Sequence, residues 1–141
     1  MFQQNYPNVA HDFMYELNKD FNFSAAHYIP NEDAGKCMRT HGHTYFVNLT
    51  IAGDTLDHNG FLVNFSDLKQ LVHGKFDHQL LNELPEFQGK SPSTEVVAHT
   101  IYELIQNALN QRTNQPQCLQ VYVRETPTSY VVFRPKEHRN G

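Results

Sequence analysis

From His41 to Ile51 every second residue is an imidazole or an apolar side chain: His41, His43, Tyr45, Val47, Leu49 and Ile51 share one parity. Side chains two apart in an extended chain project to the same face. The run therefore predicts a half-buried strand whose first two inward side chains can reach one metal ion. Gly42 between them is expected to allow a close approach. A second alternating segment, residues 14–27, sets Leu17, Phe21, Phe23 and His27 on one parity, with the small Ser24, Ala25 and Ala26 leaving room for a neighbour. Zinc sites open for chemistry usually carry three protein ligands plus an exchangeable position, and His27 is the best third ligand for His41 and His43. Turn residues from Asn31 to Lys36 make the connection between the strands a loop, and Cys37 lies in it. Lys36 and Arg39 flank that thiol, and cations beside a cysteine favour the reactive thiolate. The plainer alternative is a buried or zinc-bound cysteine.

With 141 residues the chain is read as one domain, 1–141, whose polar, patternless residues 1–13 form a flexible arm, disordered or lying on a neighbouring subunit. A chain this short is ill equipped to build a deep pocket alone, so a site shared between subunits is expected. A formal charge of −4 without Lys/Arg clusters argues against nucleic acid or an anionic membrane as partner. No apolar stretch approaches bilayer-spanning length and no secretion signal is recognisable at the N-terminus, so the cytoplasm is the expected compartment. The two cysteines, Cys37 and Cys118, form no Cys-x-x-Cys pair, which excludes a zinc knuckle or disulfide framework. Cys118 reads as a small buried residue.

Further along, Asp57-His58-Asn59-Gly60 predicts a tight turn and Phe61–Phe65 a returning strand. Ser66 is the expected N-cap of a helix through Leu68, Leu71 and Val72. A longer helix starts near Glu95 with the stripe Val97, Ile101, Leu104, Ile105 and Leu109. Leu119–Glu125 and Tyr130–Arg134 close the chain as a hairpin. This order of elements indicates an α+β fold. Asp77-His78 sets a carboxylate beside an imidazole, but neighbours on a strand point apart, so contact between them needs a turn; the functional reading is a proton-shuttling histidine. Glu125 shares the parity of Leu119, Val121 and Val123, and a charge on that face needs a partner. Arg39 or Lys36 qualifies, as does a ligand edge with adjacent N–H donors such as a pterin or guanine. His11, His58, His73, His99 and His138 lack convergent neighbours and read as surface or helix-face residues.

Taken together, Phe23-Ser24-Ala25-Ala26-His27, Cys37 through His43, Gly60–Phe65, Asp77–Asn82, Pro92-Ser93-Thr94-Glu95 and Val123–Thr126 resemble the family of 6-pyruvoyl- and 6-carboxytetrahydropterin synthases, over about Glu16 to Arg134. The resemblance implies the tunnelling fold: a four-stranded antiparallel sheet with two helices packed on one face, assembled as a homohexamer of two trimers with sites between subunits. It implies Zn2+ on His27, His41 and His43, Cys37 as general base, and His78 backed by Asp77 in a proton relay. Glu125 anchors the pterin and belongs with the catalytic group, Ser93 and Thr94 meet the substrate, and Lys36 and Arg39 are the candidates for its triphosphate. Only three residues separate Cys37 from the His-x-His pair, which resembles the branch that makes 6-carboxytetrahydropterin. The implied reaction takes 7,8-dihydroneopterin triphosphate to 6-carboxytetrahydropterin, acetaldehyde and triphosphate, on the way to the deazapurine base of queuosine. Alternatives are the pyruvoyl-forming reaction and a non-catalytic pterin binder.

Overall fold

Two thirteen-residue strands, β1 (Tyr15–His27) and β2 (His41–Gly53), pair antiparallel without interruption from Tyr15 opposite Gly53 to His27 opposite His41. A computed structural model of the chain describes residues 5–136, the Cys37 side chain excepted; the first four residues of the expected arm, and His138, lie outside the described residues. Beyond β2 come β4 (Gln117–Thr126) and β5 (Ser129–Phe133), both antiparallel to their neighbours. On the other edge a two-residue strand, β3 (Gln79–Leu80), runs parallel to β1. The sheet thus has five strands in the order β3-β1-β2-β4-β5, where four were expected. β3 is too short to leave a period in the sequence.

The helices α1 (Phe65–Phe76) and α2 (Thr94–Leu109) cover one face, α1 against β1 and α2 against β4 and β5. Odd-numbered residues of β1 and β2 point into this layer: Phe23, Tyr45, Leu49 and Ile51 are fully buried and meet Leu68, Val72 and Phe76 of α1 and Val97, Ile101 and Ile105 of α2 in one core. Each such burial contributes about 1.5–3 kcal/mol. Ser93 caps α2, its side chain accepting from the Val96 N–H.

The expected strand Phe61–Phe65 does not form. Asp57 Oδ1 accepts from the N–H groups of Asn59 and Phe61, at 2.8 and 3.0 Å, and Gly60 supplies the left-handed residue (φ 82°) that closes this turn on itself. Both edges of β2 are taken by β1 and β4, so Leu62 and Val63 plug the end of the core instead. The α1 cap is Asn64, not Ser66: its side chain accepts from the Ser66 N–H at 2.9 Å. Asn64→Ala should therefore cost about 1 kcal/mol in urea unfolding, whereas an equal loss for Ser66→Ala alone would return the cap to Ser66.

The opposite sheet face carries residues 5–9 of the expected arm. The Tyr6 ring packs edge-on against Tyr122 at 4.8 Å, and Gln120 donates to the Pro7 carbonyl at 2.9 Å. Asn48 and Gln120 are buried on this face, Asn48 donating to Asp20 at 2.8 Å. The second half of β2 is in consequence buried on both sides.

Candidate functional site

The β1–β2 register sets His27 directly opposite His41, and Ala25 opposite His43. A methyl group across from His43 leaves its ring free to turn toward the other two. The three rings stand edge to face, with centroids 4.5, 5.4 and 4.9 Å apart. One nitrogen from each lies within 4.8 Å of the others, so the trio can hold a metal ion.

Proton placement supports this. Nδ1 of His27 lies 2.6 Å from the Pro92 carbonyl oxygen, and Nδ1 of His41 lies 2.7 Å from that of Arg39. A carbonyl only accepts, so each Nδ1 carries the proton and each Nε2 presents a lone pair. Those Nε2 atoms are 3.0 Å apart. Two lone pairs at that distance repel, and a cation set against both turns the repulsion into coordination. His43 Nε2 is buried without a hydrogen-bond partner among the described residues. Neutral imidazoles with their second nitrogen tied to a backbone carbonyl are the usual donors to zinc and its first-row neighbours. Burial holds the His27 pKa below its ordinary value, against the opposing influence of the Pro92 carbonyl and the Glu125 carboxylate, a shift that favours the neutral, lone-pair-bearing ring. The Tyr45 hydroxyl lies 3.2 Å from His27 Nδ1 and its ring stacks on Phe23 at 4.9 Å. Burial pushes that phenol's pKa up, so it stays neutral.

Glu125 reaches this trio from β4. Its Oε2 accepts from the Thr94 hydroxyl at 2.6 Å and lies 3.5 Å from His27 Nε2, while Oε1 is 3.9 Å from His43 Nε2. Parity alone located the carboxylate, but its neighbours are Thr94 and the imidazoles rather than Arg39 or Lys36. Those two cations sit with Gly35, Thr40 and His41 around a separate recess of about 560 Å3. Pro92, Ser93 and Thr94 thus orient His27, cap α2 and hold Glu125 in turn. Cys37 belongs to the 3₁₀ segment Glu32–Met38, which kinks at Gly35 (φ 61°); its side chain lies outside what the structure describes.

Asp77 and His78 end α1 and lead into β3. The turn that their contact requires is present: His78 has a φ of 61°, a conformation rare for a residue with a side chain. It brings His78 Nε2 to 3.3 Å from Asp77 Oδ2. Asp77 Oδ1 accepts the Ser24 N–H at 2.8 Å, and that bond leads the causes that hold its pKa below the usual carboxylate value. His78 and His43 border a shared recess of about 560 Å3, floored by Gly42. A Cβ at Gly42 meets only the Ala25 carbonyl, at 3.8 Å, so no close approach within the chain demands glycine there.

Two histidines read as unengaged have partners. His11 Nε2 lies 2.8 Å from Glu16. His73 Nδ1 donates to the Asn22 carbonyl at 2.8 Å and its Nε2 lies 3.3 Å from Asp77 Oδ2. The i,i+4 spacing of His73 and Asp77 was the signal in the sequence for that contact.

A family model described as 6-pyruvoyl tetrahydropterin synthase matches residues 16–136. The chain is 57% identical over 141 residues to the 6-carboxy-5,6,7,8-tetrahydropterin synthase of Bacillus subtilis (strain 168), covering 97% of each. It is 34% identical over 124 residues to the protein of the same name from Synechocystis sp., covering 82% of this chain and 90% of that one. Among solved structures, the 6-pyruvoyl tetrahydropterin synthase of Caenorhabditis elegans superposes with a TM-score of 0.71 at 23% identity, over 86% of this chain and 96% of that one. That likeness concerns the fold.

Proposed function

Since the chain belongs to the 6-pyruvoyl tetrahydropterin synthase family, we propose that it is a zinc-dependent 6-carboxy-5,6,7,8-tetrahydropterin synthase, converting 7,8-dihydroneopterin triphosphate and one water to 6-carboxytetrahydropterin, acetaldehyde and triphosphate. The observation that carries the reading is the convergence of three imidazole nitrogens beside the Glu125 carboxylate, together with the full-length likeness to the Bacillus subtilis enzyme.

In this reading His27, His41 and His43 hold the zinc ion. When bound, such an ion supplies Lewis-acid polarisation of substrate oxygens. Glu125 accepts two adjacent N–H groups of the pterin edge, and Thr94 fixes the carboxylate for that purpose. Cys37 removes a proton from the substrate side chain, and His78, steadied by Asp77, moves protons along it until triphosphate leaves and the carbon–carbon bond breaks. Lys36 and Arg39, beside His41, meet the triphosphate, and Ser93 lines the substrate's approach from the start of α2. The proposal extends to a homohexamer with sites between subunits and to an early place in queuosine biosynthesis. No helix among the described residues is long and apolar enough to cross a membrane, and the cytoplasm is the proposed compartment.

The test is incubation of zinc-loaded protein with dihydroneopterin triphosphate and mass spectrometry of the products, beside a chelator-treated control. Carboxytetrahydropterin and acetaldehyde, lost with the metal, are expected; a pyruvoyl product or no turnover overturns the assignment. Glu125→Gln should weaken binding of an unreactive pterin by about 10- to 100-fold, the loss of a charge-assisted hydrogen bond. Unchanged affinity by calorimetry removes the anchor role.

A further inference from the structure

Asp77 has a histidine on either side. His78 follows it in sequence and His73 precedes it by one turn of α1, and both Nε2 atoms lie 3.3 Å from the same oxygen, Oδ2. The other oxygen is occupied by the Ser24 N–H. Any charge that Asp77 lends to His78 is therefore shared with His73.

The two rings are held differently. The His78 side chain is 84% exposed and faces the open recess, whereas that of His73 is 33% exposed and tied to the sheet through the Asn22 carbonyl. Both nitrogens of His73 face oxygens that accept and do not donate. A neutral ring has one N–H and satisfies one of them; the imidazolium satisfies both. His73 thus faces Asp77 from the α1 side, while His78 faces it from the turn.

From this arrangement we propose that His73 is a positioning residue of the active site: it neutralises part of the Asp77 carboxylate and so sets the pH at which His78 gives up its proton. The inference rests on the proposed role of His78 in proton transfer. A carboxylate with its full charge turned to His78 stabilises the imidazolium strongly; one shared with a second cation does so less. His73 consequently lowers the proton affinity of His78 and keeps it able to release a proton as well as to take one. The groups facing Asp77 are His73 and Lys69 from α1, His78 from the turn, and the Ser24 N–H from β1. Lys69 is a solvent-exposed cation, common to all the variants below.

The experiment compares the wild type with His73→Gln and His73→Lys, following the His78 ring by 15N-edited NMR titration without substrate and the pH profile of kcat with it. His73→Gln removes the cation and should raise the His78 titration midpoint by about one unit, the lower end of what a nearby charge causes. His73→Lys returns a cation and should restore the wild-type midpoint. In the turnover assay the limb of the kcat profile that reports His78 should move by the same amount, with KM little changed. A His78 midpoint that stays put in His73→Gln overturns the role of His73. A midpoint that moves while the kcat profile stays fixed upholds the tuning by His73 and instead removes His78 from the rate-governing proton transfer.

Discussion

Replacing His27 by alanine should strip the protein of metal and lower turnover by roughly a thousandfold or more, the several kcal/mol that an electrophilic metal supplies at about 1.4 kcal/mol per decade. His27 is the right residue to change because it is the most committed of the three. It is buried, its Nδ1 is held by the Pro92 carbonyl, and its Nε2 lies within 3.5 Å of both His41 and Glu125. Removing the ring takes away one of the three lone pairs and leaves His41 and His43 as a pair. The strand pairing around it is made by the backbone, so the fold should persist. Zinc content by atomic absorption and the thermal midpoint with and without added zinc distinguish loss of a ligand from loss of the fold. Zinc should raise the midpoint of the wild type, since a ligand of the native state stabilises it by mass action, and should leave that of His27→Ala unmoved. A variant that still binds one equivalent of zinc with native affinity would falsify the three-histidine site.

Cys37→Ala should lower kcat by about 10²- to 10⁴-fold, the range for a positioned general base, while zinc content and pterin affinity stay near those of the wild type. The backbone supports the separation of these effects. Cys37 lies in the short segment Glu32–Met38, and the carbonyl next to that segment, that of Arg39, is what orients His41. The proposed metal ligand His41 is held by main chain, which the substitution does not alter. Full activity in Cys37→Ala would transfer the base to another group, and lost zinc would make the thiol a ligand instead.

What the sequence disclosed follows from where a single face decides a residue's fate. On β1 and the first half of β2 the odd-numbered residues are inward and the even ones face out, so Phe23, Tyr45, His27, His41 and His43 were placed by counting alone. Counting failed where a second surface intervenes. Asn48 and Thr50 read as outward and are buried, because Tyr6 and Pro7 lie across that face and polar partners accept the burial. Phe61–Phe65 had strand composition, but β2, the strand it follows, is already paired on both edges. Glu125 followed from parity, whereas its bond to Thr94 joins residues 31 apart and depends on how α2 docks on β4. His73 was passed over although its i,i+4 spacing to Asp77 was legible; its second partner, the Asn22 carbonyl 51 residues away, leaves no local signal.

Pro92, Ser93 and Thr94 have one last implication, for how the protein tolerates changes of length. Three consecutive residues steer a proposed metal ligand, start a helix and grip the proposed pterin anchor. One residue inserted there displaces all three functions at once, and no compensating side chain elsewhere can restore them separately. The preceding stretch, around Gly89 with its open left-handed turn, has no such duties. Loop grafts, tags and redesigns of substrate scope belong in that stretch, while residues 92–94 set a fixed frame to which any such redesign must conform.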